Sequence, residues 1–203
     1  MPRSDSLYAQ RNRVRIAQAA ARLIAEHGLS DWSLAKRKAC RELGLSARES
    51  LPGNDEIEQA LRDYNRLFRP DEQIASLRVQ RRAALQWMET LSAWSPVLIG
   101  GVAAGWATEH SEVRLELEAE DPKSVEMALI NAGVCYSATG DRKGVASSAQ
   151  LFVDRGEHRV RIIVVSPAQR RNRLRRDEDA RMTLPDLKSL LQDATSGKDP
   201  APG

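Results

Sequence analysis

The stretch that decides the fold is residues 98–117, LIGGVAAGWATEHSEVRLEL. It opens inside the short apolar run Val97 to Ile99, which stops at Gly100-Gly101 as buried strands often do. Residues 113–117 then alternate between apolar and charged side chains. Alternation with a period of two indicates a strand with one face in the core and one polar face. The stretch therefore predicts two strands joined by a glycine-containing turn.

The flanking segments predict helices before this stretch and a small sheet after it. An apolar stripe at helical spacing marks a first helix that stops at Gly28, and three further helices are expected from Leu34, Asn54 and just after Pro70. A helix over 121–131, a hairpin of strands over 150–154 and 159–165, and a last helix over 183–191 follow. The predicted fold class is α+β, a helical N-terminal region (1–95) packed on a small mixed-sheet domain (96–193), with a disordered tail (194–203).

Composition excludes several classes of protein. The chain has 203 residues, of which 41% are hydrophobic, so it can build a core and is not wholly disordered. No apolar run approaches the roughly 20 residues that a membrane-spanning helix needs. The N-terminus lacks the apolar segment of a signal peptide, and Cys40 and Cys135 lie far apart, as reduced thiols would. We therefore expect a cytoplasmic protein with no membrane partner.

Charge is segregated along the chain although the net charge is only +3. Residues 97–154 carry 4 basic and 9 acidic side chains, whereas residues 155–181 carry 9 basic and 4 acidic ones. The basic stretch is densest over residues 170–176, which hold five arginines, Arg170 and Arg171 first. This cluster is either a solvated helix start neutralised by the acids at 177–179 or a patch that contacts phosphate, since arginine binds phosphate with two parallel hydrogen bonds.

The order of features in residues 98–117 resembles the signature of the nucleotidyltransferase superfamily, the polymerase-beta-like fold. That signature is an apolar strand ending in Gly-Ser, a short helix, and a second strand that begins with Ser-Asp and has another Asp two residues later. The resemblance implies that Gly100 and Gly101 line a turn for a triphosphate and that Ser111 and the following acid open the metal site. Glu112 and Glu116 would then be the catalytic carboxylates that hold Mg²⁺ for nucleotidyl transfer from an NTP.

The chain departs from that signature at defined positions. Gly101 stands where the family has a serine, and Arg114 stands where it has a second metal-binding acid. The strand that should supply a third acid, Arg159 to Val165, contains none. Because a cation beside a lone acid neutralises it, we expect nucleotidyl transfer to be weak or absent.

A second hypothesis concerns nucleic-acid binding or regulation. Residues 19–29 and 33–46 resemble the opening of a TetR-like helix-turn-helix repressor, in which a first helix ends at glycine and a second ends in Gly-apolar-Ser. The resemblance places the recognition helix at 47–53. The second helix has four basic side chains that would suit DNA phosphates: Lys36, Arg37, Lys38 and Arg41. Arg170 and Arg171 could contact the same DNA backbone.

Overall fold

The computed structural model describes residues 3–29, 31–46, 50–139, 149–154, 158–174 and 180–195. Over those residues the chain forms eight α-helices and six strands, which confirms an α+β fold with a helical N-terminal region. It divides into two compact units: a helical unit (Met1–Ser76 and Gly105–Ser111) and a sheet unit (Leu77–Ala104 and Glu112–Gly203). Among the described helices, none combines the length and the apolar character needed to cross a bilayer.

The helical unit is built around its first helix. It contains α1 (Arg3–His27), α2 (Trp32–Glu42), α3 (Asn54–Phe68) and the first residues of α4 (Pro70–Thr90). α1 packs against both α2 and α3. The apolar stripe predicted for the first helix lies in this core, because its residues are almost fully buried together with two from α3: Ile16, Ala20, Leu23, Ile24, Ile57 and Leu61.

Side-chain caps fix where α2 and α3 begin. The Asp31 carboxylate accepts a hydrogen bond from the Leu34 amide at 3.1 Å, as a helix N-cap does. The sequence favours Asn54 as the cap of α3, but the cap is Gly53, whose amide donates to Glu56 Oε2 at 2.7 Å. Arg13 Nη2 lies 2.6 Å from the same oxygen. The hydrogen bond from Arg13, with that from Gly53, lowers the pKa of Glu56 below its usual value.

A single mixed sheet organises the other unit. Its strands are β1 (Val97–Ile99), β2 (Val113–Glu118), β3 (Ser137–Thr139), β4 (Ala149–Asp154), β5 (Arg159–Val165) and β6 (Arg181–Thr183). They lie in the order β3-β4-β5-β2-β1-β6, with β2 parallel to β5 and the other neighbours antiparallel. The helices that follow are α5 (Gly101–Ala104), α6 (Pro122–Asn131), α7 (Pro167–Leu174) and α8 (Leu184–Thr195).

The predicted strands and hairpin are confirmed, and the structure adds elements that the sequence did not predict. β4 and β5 pair antiparallel, as expected of a hairpin, although the turn residues 155–157 lie outside the described residues. β3 and β6 were not predicted, and α7 was expected only under the interpretation of residues 170–176 as a helix start. The proposed disordered tail from residue 194 also falls almost wholly outside the described residues.

The two faces of the sheet differ sharply. On one face the side chains are apolar and have no exposed surface; they include Leu98, Leu115, Leu117, Leu151 and Ile162. The opposite face carries a small apolar cluster of Val97, Ile99, Ile163 and Val165. The charged side chains of β2 share this second face, because alternate residues of a strand point to the same side.

The boundary between the units differs from the predicted boundary at residue 95. It falls within α4 after Ser76, and the segment Gly105–Ser111 belongs to the helical unit. There the Trp106 ring lies 5.2 Å, centroid to centroid, from the Trp32 ring. The Asn65 amide donates to the Trp106 carbonyl at 3.1 Å. These long-range contacts assign the segment to the helical unit, and no composition change in the sequence marks them.

Candidate functional site

Register places the predicted acids on one face of the sheet. Within β2, Glu116 pairs with Val97 of β1 and with Ile163 of β5, and Arg114 pairs with Ile99 and Arg161. Register partners lie on the same face, so the charged residues of β2 share it with the apolar cluster. The expectation that the acids of β2 lie on one face is therefore confirmed.

Glu116 does not face solvent. The sequence predicts a polar, half-solvated edge, but the Glu116 side chain has no exposed surface at all. Its carboxylate forms a short hydrogen bond with Arg181 of β6 and lies 3.5 Å, Oε1 to Nε, from Arg170 of α7. A buried carboxylate needs paired charge to offset the loss of hydration. The two arginines supply that charge, which makes Glu116 a structural ion-pair partner.

The other acids of the face are also paired. Glu112 Oε1 lies 2.8 Å from Arg161 Nη2, and Glu118 Oε2 lies 3.4 Å from Arg170 Nη1. Glu112, which precedes β2, and both acids of the strand, Glu116 and Glu118, therefore each have an arginine partner.

The Mg²⁺ ion that the resemblance implies does not fit these residues. Metal ligation needs carboxylate oxygens whose negative charge is available to the cation. Here guanidinium groups already neutralise Glu112 and Glu116, the two predicted ligands. Over the described ranges, no group of three or more His, Cys, Asp or Glu is placed to hold a metal.

The neighbouring strand supplies no third acid. β5 lies parallel to β2, where a third ligand would be expected, but the residues it contributes to this face are Arg159, Arg161, Ile163 and Val165. Asp154, at the end of β4, pairs with Arg159 at 3.0 Å, and both side chains are exposed. Asp154 therefore forms a surface ion pair with Arg159 and does not supply a third acid beside Glu116.

The glycine turn is occupied by an arginine of β2. Gly100 is buried and has a left-handed backbone with φ of +73°. A Cβ built on it would lie 3.1 Å from Arg114 Nη1, so the guanidinium lies directly against the turn. Gly101 is also buried and is the first residue of α5. The predicted glycine turn is therefore formed, with a cation beside it.

Ser111 has a local role. It belongs to the helical unit, and its hydroxyl accepts a hydrogen bond from the Thr108 amide at 3.0 Å. Its oxygen also lies 3.3 Å from Thr108 Oγ1. These contacts close the turn that leads into β2.

The two predicted phosphate-contacting arginines have different environments. Only 11% of the Arg170 side chain is exposed, and besides its two carboxylate partners it donates to the Ser95 carbonyl at 2.9 Å. Arg171, the next residue, is exposed. The side chains of the remaining arginines in the 170–176 cluster lie outside the described residues. Arg170 is thus an internal clamp, and Arg171 is left on the surface.

The structure also brings together arginines that the sequence reasoning missed. Arg161 and Arg181 lie on the same face as Arg114, although they are 47 and 67 positions further along the chain. The alternation of Arg159 and Arg161 with apolar residues could have shown that β5 has a basic face. Nothing in the local sequence marks Arg181, because β6 is only three residues long.

Substitution of Gly100 tests how closely Arg114 approaches the turn. The left-handed backbone conformation costs a residue with a side chain about 1–2 kcal/mol of folding stability. Both Gly100→Ala and the control Gly133→Ala should therefore be destabilised. Gly133 has φ of +65° and open space around the position of a Cβ. Gly100→Ala should lose more stability in urea unfolding, and adding Arg114→Ala should remove the excess. Equal losses in the two glycine variants would show that Arg114 does not crowd the turn.

A second basic surface lies on α2. Arg37, Lys38 and Arg41 are exposed and occupy neighbouring positions on the helix surface; together they are called the α2 basic face. Over the described residues none of the three forms an ion pair. Lys36 is less exposed and donates to Asn54 at 3.1 Å. Residues 50–53 of the predicted TetR-like recognition helix are not helical, and residues 47–49 lie outside the described residues.

Comparison of the chain with protein-family models, curated proteins and solved structures found no match.

Proposed function

We propose that this chain is a noncatalytic, nucleotidyltransferase-like protein that binds nucleic acid through the α2 basic face. The observation that carries the binding proposal is that the cations of that face are exposed and not neutralised by carboxylates. Arg37, Lys38 and Arg41 are exposed cations with no carboxylate partner within the described residues. Lysine and arginine that are free to contact phosphates supply most of the sequence-independent affinity of proteins for nucleic acid.

Three other exposed arginines of the helical unit differ from this face. Arg22 Nη2 lies 2.9 Å from Glu42, Arg62 Nη2 lies 3.8 Å from Glu58, and Arg66 Nη2 lies 3.4 Å from Asp63. Their charge is locally balanced, so they attract a polyanion less. Arg11 and Arg15 of α1 are exposed and form no ion pair within the described residues, so the contrast distinguishes the α2 basic face from these paired arginines and not from the whole unit.

The geometry of the sheet supports the absence of catalysis. Glu116, the acid that the resemblance would use for Mg²⁺, is fully buried and held by two arginines. A carboxylate in that setting cannot gather a divalent cation without breaking both pairs, which is strongly unfavourable in a buried site. NTP turnover is therefore not expected, and a calorimetric or chromatographic assay with each NTP and Mg²⁺ should detect none.

The binding proposal is tested by a salt series on duplex DNA, followed by fluorescence anisotropy from about 50 to about 200 mM salt. Each phosphate contact contributes roughly 0.9 to the slope of log K against log salt, so Arg37→Ala/Lys38→Ala/Arg41→Ala should lower the slope by about 2–3. The control Arg22→Ala/Arg62→Ala/Arg66→Ala removes the same charge from paired sites and should change it far less. Equal losses in the two triple variants, or no salt-dependent binding by wild type, would contradict the proposal.

A further inference from the structure

Three arginines lie at one level of the charged sheet face. Register aligns Arg181 with Ile99, Ile99 with Arg114, and Arg114 with Arg161. Neighbouring strands lie roughly 4.8 Å apart, so Arg114 and Arg161 are adjacent and Arg181 is two strands from Arg114. Arg114, Arg161 and Arg181 are together called the arginine row.

Each member of the arginine row has a buried nitrogen without a hydrogen-bond partner in the described residues. These atoms are Arg114 Nε, Arg161 Nε and Arg181 Nη1. Buried donors are nearly always satisfied in folded proteins, and leaving one unmade costs free energy. Three such donors at one level of a sheet indicate a site whose acceptor is not part of the described chain.

The charges of the row point to an anion as that acceptor. Within the described part of the chain, Arg114 forms no ion pair and Glu112 is the only carboxylate that pairs with Arg161. Like charges on neighbouring strands repel when nothing bridges them. An anion between Arg114 and Arg161 would remove the repulsion and use their free donors.

The surroundings hold both guanidinium groups in place for such an anion. The Arg161 guanidinium carbon lies over the Phe152 ring, 5.1 Å from its centre, a cation–π contact that favours this position of the side chain. The Arg114 guanidinium lies against Gly100, where the absence of a side chain leaves room for it. The Arg161 side chain remains 31% exposed, so a ligand can reach this end of the face from solvent.

We propose that Arg114 and Arg161 bind a phosphoryl oxyanion directly, without a metal ion. A phosphoryl group offers several strong acceptor oxygens and more than one negative charge, which suits two guanidinium groups on neighbouring strands better than a carboxylate does. This site lies on the sheet face and does not depend on DNA binding by the α2 basic face.

The proposal is tested by isothermal titration calorimetry of the full chain with pyrophosphate in EDTA. Saturable binding to one site is expected, and added Mg²⁺ should weaken it because the ion competes for the same oxygens. Arg114→Met and Arg161→Met, which keep the apolar stem, should each weaken binding about 10-fold or more, as loss of charge-assisted hydrogen bonds does. Arg159→Met, an exposed arginine on the same strand, is the matched control and should bind as wild type.

The role of Glu112 distinguishes this site from a metal site. Since Glu112 repels an anion and competes for Arg161, Glu112→Gln should tighten pyrophosphate binding. If a carboxylate-held metal carried the anion, the same variant would abolish binding. The proposal is overturned by a lack of saturable binding in EDTA, by binding that requires Mg²⁺, by loss of binding in Glu112→Gln, or by wild-type affinity in both methionine variants, whose folding is checked by circular dichroism.

Discussion

Glu116→Ala is expected to destabilise the sheet unit by about 3–5 kcal/mol, the usual result of removing one partner from a buried ion pair. The Glu116 carboxylate has no exposed surface and is the partner of two arginine side chains that are themselves only 11% and 16% exposed. Removing it leaves Arg181 without its Glu116 partner in a poorly hydrated place, and leaves Arg170 with the more exposed Glu118. The cost arises mainly from the stranded Arg181 charge.

Urea unfolding of the full chain measures this loss of stability. Glu118→Ala is a suitable control, because Glu118 has the same type of partner but is 38% exposed, and surface pairs contribute about 0–1 kcal/mol. The double variant Glu116→Met/Arg181→Met should be more stable than Glu116→Ala, since it removes the stranded Arg181 charge together with its partner. A loss below about 1 kcal/mol in Glu116→Ala would show that the pair is not a buried structural element.

The neighbouring residues Arg170 and Arg171 should give opposite results. Arg170→Ala removes contacts to two carboxylates and to the Ser95 carbonyl, and it should cost about 1.5–3 kcal/mol, the range for hydrogen bonds to charged groups. Arg171 is exposed, so Arg171→Ala should stay within about 0.5 kcal/mol of wild type.

Thermal unfolding of the two alanine variants distinguishes the internal clamp from a surface cluster. Arg170→Lys adds a further check, because lysine keeps the charge but cannot reach three acceptors with a planar fork. It should recover only part of the loss. Equal stability of Arg170→Ala and Arg171→Ala would mean that Arg170 does not hold the two acids of β2.

Local sequence patterns sufficed to predict the main elements. The stripe from Ile16 to Ile24 and the alternation from Val113 to Leu117 both reflect which side chains the core buries, so α1 and β2 could be predicted without the fold. Glycine and proline marked most ends: α1 ends just before Gly28, and α6 begins at Pro122. β3 and β6 were not predicted because three residues are too few to show a period.

The environment of the acids could not be predicted from the sequence. Glu116 looks like any charged residue in an alternating strand, and its burial depends on Arg181, which is 65 positions away. The same holds for the segment Gly105–Ser111, whose membership in the helical unit follows from Trp106 packing on Trp32. Both features arise from contacts between distant parts of the chain, which carry no local signal.

The arginines beside the predicted metal site were only partly visible in the sequence. Arg114 stands as a cation at an acid position, and with the missing serine and third acid it leads to the expectation of weak or absent activity. That Arg161 lies next to it depends on the parallel pairing of β2 with β5. Parallel pairing joins strands through a long connection, so its register cannot be obtained from a hairpin turn.

Arginines, and not a metal ion, are expected to neutralise the acids of β2. Electron paramagnetic resonance of Mn²⁺ added to the full chain measures this directly, because bound Mn²⁺ loses the signal of the free ion. Wild type and Glu112→Gln are expected to leave the same amount of Mn²⁺ free. Binding of Mn²⁺ to wild type at one site per chain, lost in Glu112→Gln, would contradict this expectation.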